Sequence, residues 1–217
     1  MTGRTRLAAA AVDLGVVAAL ALPLWALWRQ TGDPLAYLAA DMLPGQGTYV
    51  ASKGAGLVLI VLLWLQTVSA GLRGTPPGRA LAAALGPHDR NGLLVAALAL
   101  GHPLLFVAAV SLRSGELVLT PLLPRLTDYY HAMLTLGLTA AVAILVAAGA
   151  GLRRRRHPTR LAVLLHRLAP AAFAAAWLHG WAIGSETRTP PFRELYVLLA
   201  LSAAVVWAWR LARSIRG

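Results

Sequence analysis

The chain has no cysteine, and only 13% of its 217 residues are charged. The first absence excludes disulfides, thiolate-held iron–sulfur clusters, thiol catalysis and thioether-linked cofactors. The second excludes an ordinary soluble domain, in which about 25% of residues are charged. Acidic residues are scarcer still: eight stand against 20 basic ones. No Gly-rich strand–turn–helix fingerprint for a nucleotide occurs, and no strong internal repeat. No small-residue cleavage site follows the first apolar run, where Pro23, Trp25 and Trp28 stand instead, so that run reads as a retained span.

What is there is apolar sequence, 58% by residue type. Six stretches approach or pass the ~20 apolar residues that cross a bilayer. They are Leu7–Trp28, Ala55–Leu72, Asn91–Leu112, Tyr130–Leu152, Leu161–Ile183 and Leu195–Leu211. Helices are the expected form, because open strands leave backbone groups unsatisfied in lipid. The fold class is therefore all-α: residues 1–217 form one polytopic membrane domain, a six-helix bundle. TGDP, LPGQG, GTPPGR, TPLLP, RRRRHPTR and TRTPP punctuate the connections. A long loop, about Arg29 to Ser52 with Asp33, Tyr37, Asp41 and Tyr49, is expected to cap one end.

Arginine placement predicts orientation. Arg4, Arg6, Arg73, Arg79, Arg90, Arg153, Arg154, Arg155, Arg156, Arg160, Arg167, Arg210, Arg213 and Arg216 fall on one side, 14 of the 20 basic residues. Arg29, Lys53, Arg113, Arg125, Arg188 and Arg193 fall on the other, balanced by Asp33, Asp41, Glu116, Asp128, Glu186 and Glu194. The arginine-rich side should be cytoplasmic, with both termini inside a cell inner membrane. The net charge of +12 is then a topology signal, and nucleic acid is not an expected partner. Trp25, Trp28, Tyr129, Tyr130, Trp207 and Trp209 sit at span ends, as interfacial anchors do.

Four histidines carry the chemistry. His88 and His102 lie 14 positions apart around the third span, and His166 and His179 lie 13 apart on the fifth. At ~1.5 Å per helical residue, each pair spans roughly 20 Å. The third and fifth spans run in the same direction, so His88 matches His166 in depth and His102 matches His179. Neutral imidazole binds haem iron well, and two fill both axial positions, which suits electron transfer. Small residues nearby (Ala96, Ala97, Ala99, Gly101, Ala174, Ala175, Ala176, Gly180) leave room for a flat ring. Arg90 and Arg167 are candidates for haem propionates; Arg113 and Arg188 are weaker ones at the other end. One tension remains. Fourteen residues of ideal helix leave His88 and His102 roughly 40° apart, whereas 13 leave His166 and His179 about 140° apart. Either Pro170 resets the phase or only one haem binds, with His102 and His179 the safer pair.

Other polar residues carry less. His131 reads as an interfacial hydrogen-bonded residue, with a quinone or substrate contact as the alternative, and His157 as solvated. Asp13 marks either a proton path or a group reaching water at the inner end. Gln66, Thr67 and Ser69 read as helix-joining residues. Trp177 and Trp181 flank His179 for packing or an electron exit, and isolated Met133 is a poor ligand. No catalytic residue stands out.

Residues 45–183 resemble the ferric reductase-like transmembrane domain family of ferric reductases, NADPH oxidases and the haem subunit of bacterial methionine sulfoxide reductase systems. LGPHDRNGLLVAALALGHPLLF is similar to that family's third span, through His88, Gly92, His102 and Pro103. LHRLAPAAFAAAWLH is similar to its Leu-His-Arg-Leu segment with a second histidine 13 later, through His166, Arg167 and His179. The aromatic that often follows that segment is replaced by Ala169-Pro170. The resemblance implies a b-type haem conduit ligated by these histidines, and the family's spacing favours two haems. No segment reads as the flavin or nicotinamide domain of the larger relatives. The expectation is a component of an oxidoreductase that takes electrons from a separate cytoplasmic flavoprotein or quinol and delivers them to an acceptor outside. Two rivals stand beside it: a single-haem subunit of a periplasmic methionine sulfoxide reductase system, and a haem-free transporter or assembly factor.

Overall fold

The computed structural model describes residues 3–33, 36–37, 39 and 42–216, without the side chains of 3–9 and 216. Asp41 and the side chains of Arg4, Arg6 and Arg216 thus lie outside the described residues. Among these there is no strand. Eight helices follow one another: α1 (Gly3–Thr31), α2 (Gln46–Gly71), α3 (Pro76–Leu85), α4 (His88–Ser114), α5 (Tyr129–Arg156), α6 (Arg160–His166), α7 (Ala169–Ile183) and α8 (Phe192–Arg216). Short 3₁₀ turns sit at Thr120–Leu122 and Glu186–Arg188.

Six segments are long and apolar enough to span a membrane, α6 and α7 together making the fifth. The chain is a multi-pass membrane protein. Its outer faces carry what lipid requires, with Leu14, Val17, Leu94, Leu104, Val142, Leu164, Leu198 and Val205 all exposed. The helix that is apolar all round, α2, is the most buried, as such a helix must be. Leu57, Ile60, Val61, Leu65 and Val68 form the centre of the core.

The packing is a ring of four. α4 packs on α2 and α5, and α7 packs on α5 and α2, so α4 and α7 face each other across the middle. α1 and α8 cover the far side of α2. Two features depart from the sequence reading. α2 begins nine residues earlier than Ala55, at Gln46. Its polar first turns were expected to be loop; instead Gly45, at φ 79°, caps the helix against the backbone of Ala109 on α4, where a Cβ would collide. The other is α3, an unexpected short helix at the arginine-rich end. Thr75 caps it by accepting from the Gly78 N–H at 3.1 Å, and Pro76 and Pro77 occupy its first turn.

The fifth span relieves part of the phase problem locally. Pro170 has no N–H, and the backbone tightens just before it. The Arg167 N–H is shared between the carbonyls of Val163 and Leu164, and that of Leu168 reaches Leu165. A 3₁₀ step turns about 120° instead of 100°. Each such step recovers about 20° of the ideal-helix deficit between His166 and His179.

Candidate functional site

The four histidines come together as two pairs. The His88 and His166 rings lie 6.2 Å apart between centroids, nearly perpendicular, at the arginine-rich end. The His102 and His179 rings lie 6.4 Å apart, inclined at 71°, toward the other end. In each pair one ring comes from α4 and one from α6 or α7, across the centre of the ring of helices.

Each pair lines its own cavity. The far one, about 240 Å³, has walls of Gly56, Ala99, Gly137, Ala140 and Ala176 around His102 and His179. The one at the arginine-rich end, about 260 Å³, is lined by Gly92, Ala148 and Gly151 around His88 and His166. Of the small residues singled out in the sequence, Ala99, Ala176 and Gly180 line the far cavity; Ala96, Ala97, Gly101, Ala174 and Ala175 line neither.

Three of the rings are held in the same way. His102 Nδ1 donates to the Ser52 carbonyl at 2.8 Å. His166 Nδ1 donates to Ala147 at 2.9 Å, and His179 Nδ1 donates to Met133 at 2.7 Å. A carbonyl can only accept, so Nδ1 carries the proton and a neutral ring keeps a bare lone pair on Nε2. Each of these rings also lies against a glycine. A Cβ on Gly56 would stand 3.0 Å from the His102 ring, one on Gly151 3.0 Å from His166, and one on Gly137 2.5 Å from His179. Buried Ser52 fixes α4 further, its hydroxyl donating to the His102 carbonyl at 2.8 Å.

These supports were not singled out in the sequence, although a signal was present. Gly137 and Gly151 lie 14 apart on α5, the spacing of the histidines on α4. Ser52 and Gly56 sit one turn apart on α2.

The cations differ from those expected. Arg90 and Arg167 are exposed and line neither cavity; Arg73, Arg154 and Arg155 line the one at the arginine-rich end. Arg155 pairs with Asp89. At the far end Arg113 donates to Gln46 and Arg188 to the Ala182 carbonyl, and neither lines the cavity. Lys53 does. Its ammonium pairs with Glu186, whose side chain is 2% exposed, and donates to Ser185 at 3.0 Å. Ser185 in turn donates to Glu186 at 3.1 Å. A buried carboxylate without that ammonium would be costly.

Of the remaining polar residues weighed in the sequence, His131, His157, Asp13, Gln66, Thr67 and Ser69 line neither cavity. The Asp128 side chain caps α5, accepting from the His131 N–H at 3.0 Å and from its ring at 2.6 Å. These bonds hold the carboxyl below its ordinary value of 3.8, to about 2. His131 lines neither cavity, exposed His157 ends α5, and exposed Asp13 lies outside both cavities. Gln66 joins helices by donating to the His88 carbonyl at 3.1 Å, whereas Thr67 and Ser69 bond within α2. Trp177 and Trp181 stack with Tyr196, and Trp177 and Tyr196 exchange hydrogen bonds that fasten α7 to α8.

Comparison with family models, curated proteins and solved structures returns no match to this chain.

Proposed function

We propose that this chain is a membrane cytochrome of the ferric reductase-like kind, holding two b-type haems one above the other. The observation that carries this reading is the ring separation in the two histidine pairs. An imidazole nitrogen bonds a first-row metal at about 2.0 Å and lies about 1.1 Å from its own ring centre. Two imidazoles holding one iron between them would therefore have centroids about 6.2 Å apart. The separations of 6.2 and 6.4 Å match that figure. Three of the four rings also donate Nδ1–H to a carbonyl, the arrangement of metal-ligating histidines, which fixes the tautomer and raises basicity.

Two histidines per site, with no group of three or more His, Asp or Glu side chains among the described residues, suit the axial positions of haem. Zinc takes three or four protein ligands, so the donor set weighs against a haem-free metal transporter. His102 with His179 and His88 with His166 would supply the ligands. Lys53 at one site, and Arg73 and Arg154 at the other, would face the haem carboxylates. When bound, haem at two such levels supplies one-electron carriage across the bilayer. The residues of the chain would orient the rings and surround the haem with alanine and leucine walls.

By the positive-inside bias the arginine-rich end faces the cytoplasm of a cell inner membrane. There a basic surface would attract an acidic flavoprotein donor, or a quinol would serve; the acceptor lies on the other side. A second reading, one haem per chain in a periplasmic methionine sulfoxide reductase system, draws on one observation: among the described residues the His88 ring has no carbonyl partner and no glycine seat.

The test is a haem count. Protein purified from haem-replete cells should have a reducible Soret band and two b haems per chain by pyridine haemochromogen. One haem would select the second reading, and a colourless preparation would sink both.

A further inference from the structure

We propose that His88 is an exchangeable ligand, so that an iron held by His166 takes a small exogenous ligand on its His88 side: carbon monoxide when ferrous, cyanide when ferric. This rests on the two-haem reading above.

The inference comes from an asymmetry among four chemically identical rings. His102, His166 and His179 each donate Nδ1–H to a carbonyl of a neighbouring helix. Each also presses on a glycine that admits no Cβ without displacement. Among the described residues the His88 ring has neither, and it faces the His166 ring. Gln66 ties the His88 backbone carbonyl but leaves the ring to rotate. His88 is also the first residue of α4, entered from Gly86 at φ 72° through Pro87. One end turn positions it, where the other three histidines stand inside or at the close of packed helix.

Loss of the outer partner of a ligating histidine weakens metal affinity about 10–100-fold. His88 has that handicap built in. Its cavity is also cation-rich: Arg73 and Arg154 line it without an acidic partner among the described residues, beside the Arg155–Asp89 pair. Such surroundings favour an anionic ligand. The far site is the reverse, with both rings anchored and seated. The exchange is a substitution. The iron–imidazole bond to His88 breaks as the bond to the incoming carbon atom forms, the ring leaves neutral, and no electron is transferred.

The experiment uses the purified full-length chain. Dithionite-reduced protein is titrated with carbon monoxide and oxidised protein with cyanide, both followed in the Soret region. Carbon monoxide should occupy one of two haems. His88→Ala should keep that haem through His166 and bind carbon monoxide more tightly than the wild type, since no internal ligand competes. His166→Ala should lose the haem and the carbon monoxide signal together. A wild-type protein with two haems that takes up no carbon monoxide overturns the proposal, as does uptake at both haems, or loss of the haem in His88→Ala. The wild-type titration decides the matter even if a variant fails to fold. A count of one haem overturns this inference and leaves a single-haem cytochrome; a count of none overturns the proposed function as well.

Discussion

If the proposed two-haem reading holds, a single methyl group at position 137 should release the far haem. In Gly137→Ala the new Cβ would stand 2.5 Å from His179 Nδ1 and 2.6 Å from its Cε1. An unstrained contact needs about 3.4 Å or more, so the ring must withdraw by about 0.9 Å. That withdrawal stretches the 2.7 Å bond to the Met133 carbonyl, to as much as about 3.6 Å where the motion follows the bond, beyond hydrogen-bond range. The ring loses its fixed tautomer and its aim. The expected cost is about 10–100-fold in affinity, or about 1.4–2.7 kcal/mol. The assay is haem per chain by pyridine haemochromogen, with the Soret spectrum of the residual haem. Gly149→Ala, on the same helix, is the control: nothing lies within 4 Å of its Cβ, and alanine favours a helix by about 1 kcal/mol over glycine. If Gly137→Ala keeps its full haem and an unchanged spectrum, the seat is not a seat.

Other outcomes extend the same reasoning. Gly56→Ala and Gly151→Ala, with contacts of 3.0 Å, should lower haem content less than Gly137→Ala; an inverted order would contradict the steric account. His102→Ala and His179→Ala should each remove the same one haem, as difference spectra would reveal, and loss of different haems would break the pairing. Lys53→Met leaves Glu186 buried and unpaired, which should cost about 3–5 kcal/mol. Lys53→Met/Glu186→Gln should recover much of that in thermal denaturation followed by circular dichroism. Asp128 titrates lower in the folded chain than its ordinary 3.8, so its contribution is present above that pH and is lost as pH falls through about 2. Asp128→Asn should flatten that limb of the acid-unfolding curve. A fluorescent protein fused after Gly217 should fold and fluoresce in the cytoplasm; a dark fusion would reverse the orientation.

Much of the scaffold was readable because bilayers impose a crude rule. Twenty apolar residues in a row have one stable form in lipid, and all six expected spans are helices of that kind. Helix ends were less legible, since capping depends on neighbours. Gln46–Gly54 is polar enough to pass for loop, yet Gly45 docked on Ala109 makes it helix. The Thr75-Pro76-Pro77 start of α3 is a helix cap signal inside a connection otherwise rich in turn residues.

The amino-acid sequence by itself determined the number of apolar spans and the positions of the four histidines along them. Both depend only on distance along the chain. Position along parallel helices also paired His88 with His166 and His102 with His179, as the ring separations bear out; how the rings turn toward each other, and what holds them, was decided by tertiary structure. A 13-residue spacing puts His166 and His179 on nearly opposite faces of an ideal helix, and the tightened turn before Pro170 takes up part of that angle. The carbonyls that orient three of the rings belong to residues 52, 147 and 133, on other helices. Arg73 and Arg154, not Arg90 and Arg167, reach the cavity because angular position around a helix, unlike depth, is set by packing against neighbours.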